Sequence, residues 1–382
     1  MSKRRSAASA RSAEREGHQP PSREPGDVES IAERFEGLGR VVQTERAPYG
    51  HIHQTWFAIG STGACAVVQR LNDRVFPDCE LVAANVARVS AHLVVRAESA
   101  SPPRQALRVL RTREGEVLVF DGQGGTWRAF AAVRGATCHP VVPSPEVAFE
   151  VGRTLGRFAV DLADLPGPAL VEPIGGFKDF EGRRRELDRA VEEDAFGRVA
   201  LCAREIEAVR ARHRLAEAVE RARHEGLLPT RTVHNDAKAA NVLVDSATGE
   251  GVCVIDLDTV APGTVLFDIG DLLRSATVTV AEDTTDLPSL AVCDNHLVAA
   301  LRGYLSEAGR LLTTTEKEMV PLAGPLMAYE NAMRFLTDHL DGDRYFGADR
   351  PRHNLDRARA QLRVLDALAG ARSRVAELVA RG

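Results

Sequence analysis

The sequence predicts an α+β chain with two lobes: a small antiparallel β-sheet lobe with one main helix, followed by a larger, mostly helical lobe. Three observations predict this architecture. Short alternating apolar segments separated by turn residues fill residues 40–135. Long amphipathic segments follow residue 145. The length of 382 residues exceeds that of one ordinary domain.

The first 30 residues have a different composition from the rest. Residues 1–30 are rich in Ser, Ala, Arg, Pro and Glu and carry almost no large apolar side chains. Such a segment cannot bury enough surface to order itself, so we expect a disordered tail. No apolar run follows its basic start, and acidic residues dilute a transit-peptide pattern. We therefore expect a cytoplasmic protein.

We place the first lobe at residues 31–133. Its segments alternate in hydrophobicity and are joined by turn chemistry such as Ser-Thr-Gly. One segment instead has apolar residues at helical spacing. The predicted elements are strands over 40–47, 52–60 and 64–71, a helix over 81–93, and strands over 106–112, 116–121 and 126–133.

The second lobe is predicted at residues 134–382. Its pattern is dominated by the 3.6-residue period of amphipathic helices. Three short apolar strands near 230–256 interrupt that pattern. The clearest helical segments are 146–162, 186–224, 287–308, 316–340 and 353–379.

Composition and charge exclude several classes of partner. Hydrophobic residues make up 44% and charged residues 27%, and the net charge is −5, so no basic surface argues for nucleic acid. The Arg-rich segment 198–224 interleaves Glu with Arg, which is typical of a solvated helix face. No apolar run approaches the ~20 residues that cross a bilayer. The six widely spaced cysteines indicate reduced thiols.

The most informative stretch is 232–274, which contains the pattern His234-x-Asp236-x4-Asn241. A turn and an apolar strand follow, and the strand ends in Asp256-Leu-Asp258. Phosphoryl transfer requires a carboxylate that orients the attacking hydroxyl and oxygen ligands that hold Mg²⁺ on the phosphates. An Asp, an Asn five residues later and a second Asp at a strand end supply these groups. The alternative is a polar loop that caps a core sheet.

Several segments resemble the aminoglycoside phosphotransferase superfamily of small-molecule kinases, and most of all its N-acetylhexosamine 1-kinase branch. The resemblance implies a bilobal protein-kinase-like fold that uses ATP and Mg²⁺. It covers most of the chain after residue 40. The matching segments are GHIHQTWF (50–57), VVQRLNDRVFPD (67–78), TWRAF (126–130), the HND to FDIGD block, ENAMRFLTDHLDGDRYF (330–346) and NLDRARAQL (354–362).

The resemblance implies roles for the residues of the central motif. Asp236 would be the catalytic base. Asn241 and Asp256 would bind Mg²⁺, and Asp258 would assist from the same strand end. Asp268 would brace the catalytic loop from the start of a helix.

For the nucleotide, the resemblance implies a site between the sheet and the link at 127–133, where backbone groups of Phe130 and Ala132 would meet the adenine. Arg70 falls where kinases place a phosphate-binding Lys, and its guanidinium suits phosphate. Glu80 is the nearest candidate for its helix partner. The alternative for Arg70 is a surface residue of the strand.

For the acceptor, the resemblance implies a pocket of donors and acceptors that match sugar hydroxyls. Alternatives remain open, because Arg334 and Asp338 are spaced as an ordinary helical ion pair and Tyr345 is equally suited to packing under the last helix. The histidines are also typical of surface or turn-capping residues. Lys178 stands where the family has His. The implied acceptor residues are His51, His53, Thr259, Arg334 and Tyr345.

The first hypothesis is therefore an ATP- and Mg²⁺-dependent kinase that phosphorylates a sugar, at the anomeric hydroxyl of an N-acetylhexosamine or a related sugar. The second is an aminoglycoside or aminocyclitol O-phosphotransferase, which Arg334 disfavours because it would repel a polyamine. A pseudokinase-like nucleotide-binding protein is the non-enzymatic alternative, and the complete motif argues against it. A protein kinase is not expected, because Asp-Phe-Gly and Ala-Pro-Glu are missing. We expect a monomer or a weak homodimer with no nucleic-acid or membrane partner.

Overall fold

The computed structural model of the chain describes residues 27–47 and 52–381. The predicted tail lies mostly outside these residues. Its described end already begins a helix, because Asp27 caps the backbone N–H of Glu29 at 3.1 Å and α1 (Val28–Ala32) follows.

A six-stranded antiparallel sheet forms the N-terminal lobe. Its order is β1-β2-β3-β6-β4, with β5 also paired to β6. Helix α2 packs against one face of the sheet through Val82 and Val86, and α1 packs against the other face through Ile31. The elements are β1 (Val41–Arg46), β2 (Gln54–Gly60), β3 (Cys65–Arg70), α2 (Cys79–Glu98), β4 (Val109–Leu110), β5 (Val119–Phe120) and β6 (Thr126–Ala131).

The register of β3 and β6 decides which side chains face the second lobe. Gln69 lies opposite Arg128, and Arg70 lies opposite Trp127. Successive residues of a strand face opposite sides of a sheet. Trp127 is fully buried in the cluster under α1. Arg128 and Gln69 therefore face the cleft between the lobes, whereas Arg70 lies on the far face.

The C-terminal lobe is a helical bundle around the long helix α9, with three short β-pairings on the side of the cleft. The buried face of α9 includes Tyr329 and Met333, both at 0% exposure. The elements are β7 (Ala136–Thr137), α3 (Pro145–Asp161), α4 (Phe180–Glu193), α5 (Ala203–Ala211), α6 (Arg214–His224), β8 (Arg231–Val233), β9 (Val242–Asp245), β10 (Gly251–Val254), β11 (Ala261–Gly263), α7 (Val265–Ala276), α8 (Asp294–Ala308), α9 (Thr314–Leu340), α10 (His353–Gly370) and α11 (Arg372–Arg381).

The predicted α+β architecture, with a β-rich first lobe and a helical second lobe, is confirmed. The helix predicted over 186–224 is three helices, α4, α5 and α6. The first break has a clear cause: Asp194 adopts φ 37° and its carboxylate accepts from the backbone N–H groups of Arg198 and Val199. The helix predicted over 353–379 divides at Ala371. The lobe boundary near residue 133 stays a prediction.

No helix of the described part combines the length and the apolar character that a membrane span requires.

Candidate active site

The loop that carries the His-x-Asp motif connects β8 to β9 and is held by helix α7. Asp268, in the first turn of α7, accepts hydrogen bonds from the backbone N–H groups of His234 and Asn235, both at 2.8 Å. Burial raises the pKa of Asp268 to about 6, against the lowering effect of these hydrogen bonds. Asp268 therefore braces the loop, as the sequence predicts.

Asp236 is held by two donors from its own loop. Lys238 Nζ lies 2.8 Å from Asp236 Oδ2, and Asn241 Nδ2 lies 3.0 Å from the same oxygen. Burial acts to raise the pKa of Asp236, but the Lys238 ammonium outweighs it and holds the pKa at about 2. The carboxylate is 28% exposed. The carboxylate is thus ionised, held by two donors and partly open to solvent.

Lys238 is the residue of this loop that the sequence analysis misses. Its charge stabilises the ionised forms of both Asp236 and Asp256. The available signal was a cation two residues after the catalytic Asp, in a site that must neutralise transferred phosphate.

Asp256 follows β10 and faces solvent, in contrast to its neighbour Asp258. Its backbone is left-handed, with φ 62°, and begins the 3₁₀ turn Leu257–Thr259. Partial desolvation of the carboxylate by the surrounding protein and the nearby Asp258 carboxylate both act to raise the pKa of Asp256.

The donors fit a Mg²⁺ ion that arrives with a nucleotide. Both side-chain hydrogen bonds of Asn241 come from Nδ2, so Oδ1 is the atom left to serve as a ligand beside the open Asp256 carboxylate. Among the residues described, no three His, Cys, Asp or Glu side chains form a metal cage. Mg²⁺ is commonly held by one or two carboxylates together with substrate phosphates, and such a site has no need of a cage.

The structure gives Asp258 protein partners in place of a metal. Its side chain is 2% exposed, and both its oxygens contact the guanidinium of Arg128, with Nη2 at 2.6 Å from Oδ2. His53 Nε2 lies 2.9 Å from Oδ2. Burial acts to raise the pKa of Asp258, but Arg128 and His53 hold it well below its ordinary value. These contacts argue against the predicted metal role, because the carboxylate oxygens are already used.

Arg70 does not face the cleft. Its side chain lies against Gly125 on the far face of the sheet. There its positive charge acts on Asp121. Burial acts to raise the pKa of Asp121, but hydrogen bonds from Trp127 and the backbone, together with the Arg70 charge, lower it. Glu80 is exposed in the first turn of α2, and the described residues show no ion pair between it and Arg70. The geometry argues against the predicted phosphate-binding pair.

At the predicted adenine position, the Phe130 side chain is buried under α2 and forms part of the core. The backbone N–H of Ala132 donates to the carbonyl of Cys65 at 3.0 Å. The carbonyl of Ala132 is the group left to meet a base at this residue.

Two of the predicted acceptor residues lie together. Arg334 Nη2 is 3.4 Å from the hydroxyl of Tyr345, and its guanidinium lies over the rings of Phe177 at 5.0 Å and Phe346 at 5.1 Å. Tyr345 is 40% exposed. The alternative helical pair with Asp338 does not form, because Asp338 accepts from the backbone of Tyr345 and Phe346.

Lys178 and Glu330 add a buried ion pair beside this cluster. Lys178 Nζ lies 2.8 Å from Glu330 Oε2 and 3.8 Å from Asp271. Its charge also contributes to the lowered pKa of Asp236. The lysine at the position where His was expected is therefore linked electrostatically to the catalytic carboxylate.

An open cavity of about 270 Å³ lies between the catalytic loop and the segment 172–179. Asn235 lines it from the loop, Thr259 lines it from the 3₁₀ turn after β10, and Phe177 and Lys178 line it from the segment. The Thr259 hydroxyl donates to the carbonyl of His234 at 2.8 Å, so its oxygen can still accept a hydrogen bond.

The two predicted histidines have separate outcomes. His51 lies outside the described residues. His53 is buried, and it contacts Asp258 instead of facing the cavity.

Several solved structures are similar to this chain over most of its length. A solved aminoglycoside phosphotransferase from Alicyclobacillus acidocaldarius is similar over 93% of this chain and 98% of its own, with 17% identity and a TM-score of 0.54. The amicoumacin kinase solved with AMP-PNP and Ca²⁺ covers 89% of this chain and 92% of its own, with 11% identity and a TM-score of 0.57. A choline kinase from Cryptosporidium parvum covers 90% and 96%, with 14% identity and a TM-score of 0.55.

At these identities the solved structures establish the shared fold. The family model of the phosphotransferase enzyme family APH matches residues 44–304, a span that begins within β1 and contains the rest of the sheet, the loop of the His-x-Asp motif and helix α7. The chain belongs to the phosphotransferase enzyme family.

Proposed function

We propose that the protein is an ATP- and Mg²⁺-dependent kinase that transfers the γ-phosphate to a sugar hydroxyl, the anomeric hydroxyl of an N-acetylhexosamine or a closely related sugar. The observation that carries the proposal is that Lys238 and Asn241 both contact one carboxylate oxygen of Asp236, beside the open carboxylate of Asp256. Solved neighbours bound to AMP-PNP with Ca²⁺, and to ADP, support the use of a nucleotide and a divalent ion.

In the proposed reaction, Asp236 orients the acceptor hydroxyl and accepts its proton as the oxygen attacks the γ-phosphate. Its ionised state at neutral pH makes it ready for this role. Lys238 lies beside the transferred group and offsets its negative charge. A Mg²⁺ ion held by Asn241 and Asp256 would neutralise charge on the phosphates. Most of the rate then comes from positioning and electrostatics.

The cavity beside the loop supports a small, neutral acceptor. A sugar presents several hydroxyls, and the cavity offers matching polar groups from Thr259, Asn235 and Lys178. Arg334 and Tyr345 are proposed to close the far side, where aromatic rings and a guanidinium suit the faces and oxygens of a sugar ring.

The carboxylates near the cavity argue against a polycationic acceptor. Glu172 accepts from the backbone of Gly176 and Phe177, and Glu330 pairs with Lys178. Glu220 contacts Arg223, so Glu330 and Glu220 are each paired with a neighbouring cation. Lys178 and Arg334 would also repel a polyamine.

The test is a coupled ADP-release screen of the purified full chain against N-acetylglucosamine, N-acetylgalactosamine, other hexoses, cyclitols and aminoglycosides. We expect turnover with an N-acetylhexosamine or a near relative, and phosphorus NMR is expected to locate the phosphate on C1. The Asp236→Asn variant is the control for contaminating kinases. Turnover with cationic acceptors alone would replace this proposal with an aminoglycoside phosphotransferase.

A further inference from the structure

A buried ion pair joins the two lobes beside the cleft. The side chain of Arg128, on β6, is 3% exposed, and that of Asp258, in the 3₁₀ turn after β10, is 2% exposed. Both terminal nitrogens of the guanidinium contact the carboxylate. A bidentate pair of this kind fixes the orientation of both partners as well as their distance.

The other contacts of these side chains are also made within the protein. Arg128 Nε and Nη2 donate to Gln69 Oε1 at 3.0 and 2.8 Å. His53 Nδ1 accepts from the backbone N–H of Asn72 at 3.1 Å, so Nε2 carries the proton that faces Asp258. His53 also packs on Phe76, with ring centroids 5.4 Å apart. Both oxygens of Asp258 therefore have partners within the protein. The carboxylate of Asp256, in contrast, is open.

The turn that carries Asp258 is held from the opposite side by the catalytic loop. The Thr259 hydroxyl donates to the carbonyl of His234, and Asn235 Nδ2 donates to the carbonyl of Thr259 at 3.1 Å. Asp256 precedes this turn and has a left-handed backbone, so its direction depends on how the turn is fixed. The turn is thus attached to the N-terminal lobe through Asp258 and to the catalytic loop through Thr259.

We infer that Asp258 and Arg128 are positioning residues: their ion pair sets the position of Asp256 through the turn Leu257–Thr259, and Asp258 itself does not bind the metal. The inference rests on the proposed function for its catalytic consequence only. The sequence predicts a different arrangement, in which a cation on β3 pairs with an acid on the neighbouring helix, so that both partners belong to the N-terminal lobe. In this chain the cleft-facing cation is on β6 and its partner belongs to the other lobe.

The test compares Arg128→Met, Asp258→Asn and the double variant, in the full chain. The double variant leaves no uncompensated charge, which guards against loss of folding in a single variant. Arg128→Lys keeps the charge without the two-pronged contact and serves as a second variant. The matched control is Asp161→Asn, because Asp161 pairs with Arg104 by two contacts, at 3.1 and 3.4 Å, between the lobes but away from the cleft.

Three quantities are measured: kcat at saturating substrates, the gain in ATP affinity on adding Mg²⁺, and hydrogen exchange of residues 255–261 without ligand. We expect each single variant to lose about 100-fold in kcat, as misplaced reacting groups do. The double variant is expected to be no worse than either single variant. Hydrogen exchange of residues 255–261 is expected to rise in Arg128→Met, in Asp258→Asn and in the double variant. The gain in ATP affinity on adding Mg²⁺ is expected to shrink equally in the two single variants. The control Asp161→Asn is expected to resemble the wild type.

Loss of the Mg²⁺-dependent gain in Asp258→Asn, with a wild-type response in Arg128→Met, would overturn the inference, because Asp258 would then bind the metal itself. Unchanged hydrogen exchange in the variants, or an equal loss in the control, would also overturn it. Failure of the acceptor assignment leaves the exchange and ATP-binding results intact, so the two proposals fail separately.

Discussion

Lys238 Nζ lies 2.8 Å from Oδ2 of Asp236, the oxygen to which Asn241 Nδ2 also donates. The contact keeps the carboxylate charged in a recessed site, since burial alone would raise its pKa. Under the proposed function this lysine has two roles: it would orient the proton acceptor, and it would present positive charge where phosphate is transferred.

Replacing Lys238 by Met is expected to change the pH dependence of the reaction. The ionised Asp236 is the active form, so activity falls as pH falls through its pKa. With Lys238 present that pKa is about 2, and the acid limb lies below the usual assay range. Without the ammonium the pKa rises, and the acid limb moves to higher pH. The measurement is kcat/KM against pH, with each profile normalised to its own maximum.

Lys238→Arg is the control for this experiment, because it keeps a cation two residues from the carboxylate. Its normalised profile is expected to resemble that of the wild type. Coincident profiles for Lys238→Met and the wild type would show that the lysine does not set the ionisation of Asp236.

Replacing Asp268 by Asn is expected to slow the reaction without removing any group that meets substrate. Each carboxylate oxygen of Asp268 accepts from one backbone N–H, of His234 or of Asn235, and in Asn one of these oxygens becomes an NH₂ group that would face a donor. The loop then loses its fixed position, and we expect kcat to fall by about 10- to 100-fold. ATP affinity, measured by calorimetry, is expected to stay near the wild-type value, and an unchanged kcat would contradict the bracing role.

Asp268 also gives a stability prediction with a definite sign. Its pKa is about 6 in the fold against an ordinary value of 3.8, so the folded state binds a proton in that window that the unfolded state has released. The stability contributed by this residue is therefore greatest below the window and is lost as pH rises through it. Urea unfolding at several pH values is expected to show this trend in the wild type relative to Asp268→Asn.

The acceptor loop 341–347 depends on two buried polar side chains. Asp338 accepts from the backbone N–H groups of Tyr345 at 2.7 Å and Phe346 at 3.0 Å. Asn354 Nδ2 donates to Asp338, to Asp343 and to the carbonyl of Gly347, all at 3.0 Å. Asn354→Ala is expected to lower the free energy of unfolding by about 1–3 kcal/mol.

The same variant is expected to raise KM for the acceptor while KM for ATP changes little, because the loop carries Tyr345 and does not contact the predicted nucleotide site. Steady-state kinetics with each substrate varied in turn measure the split. An equal rise in both KM values would argue that the loop has no specific place in the acceptor pocket.

Helices α3 and α8 approach so closely that glycine is required between them. A Cβ on Gly152 would lie 2.0 Å from the carbonyl oxygen of Ala300. Gly152→Ala is expected to reduce the free energy of unfolding by at least about 1–3 kcal/mol, as overpacked cores do. Gly370→Ala is the matched control, since its Cβ would meet nothing within 4 Å. Urea denaturation distinguishes the two, and equal effects would contradict the packing argument.

The sequence predicts the sheet and the loop that carries the His-x-Asp motif well, because each depends on local pattern. The alternation that predicts the strand over 64–71 is a property of the segment itself, and β3 spans Cys65–Arg70. The spacing from His234 to Asn241 likewise fits a loop fixed by its own residues and by α7. Both are short-range features.

The sequence predicts long-range pairing poorly. Arg70 was expected in the cleft, but the register with β6 turns it to the other face and brings Arg128 there. Asp258 and Arg128 are 130 residues apart, so no spacing rule indicates their contact. The break after α4 depends on a left-handed Asp194, a conformation that a helical period does not exclude.

The most direct test of the account is the rate of phosphate transfer by Asp236→Asn at saturating ATP and acceptor, compared with the wild type. The account predicts a loss of about 10²- to 10⁴-fold, as for the removal of a positioned general base. ATP binding is expected to remain, and Asp245→Asn, at the last residue of β9, is expected to react at the wild-type rate. Turnover by Asp236→Asn near the wild-type rate would contradict the central claim.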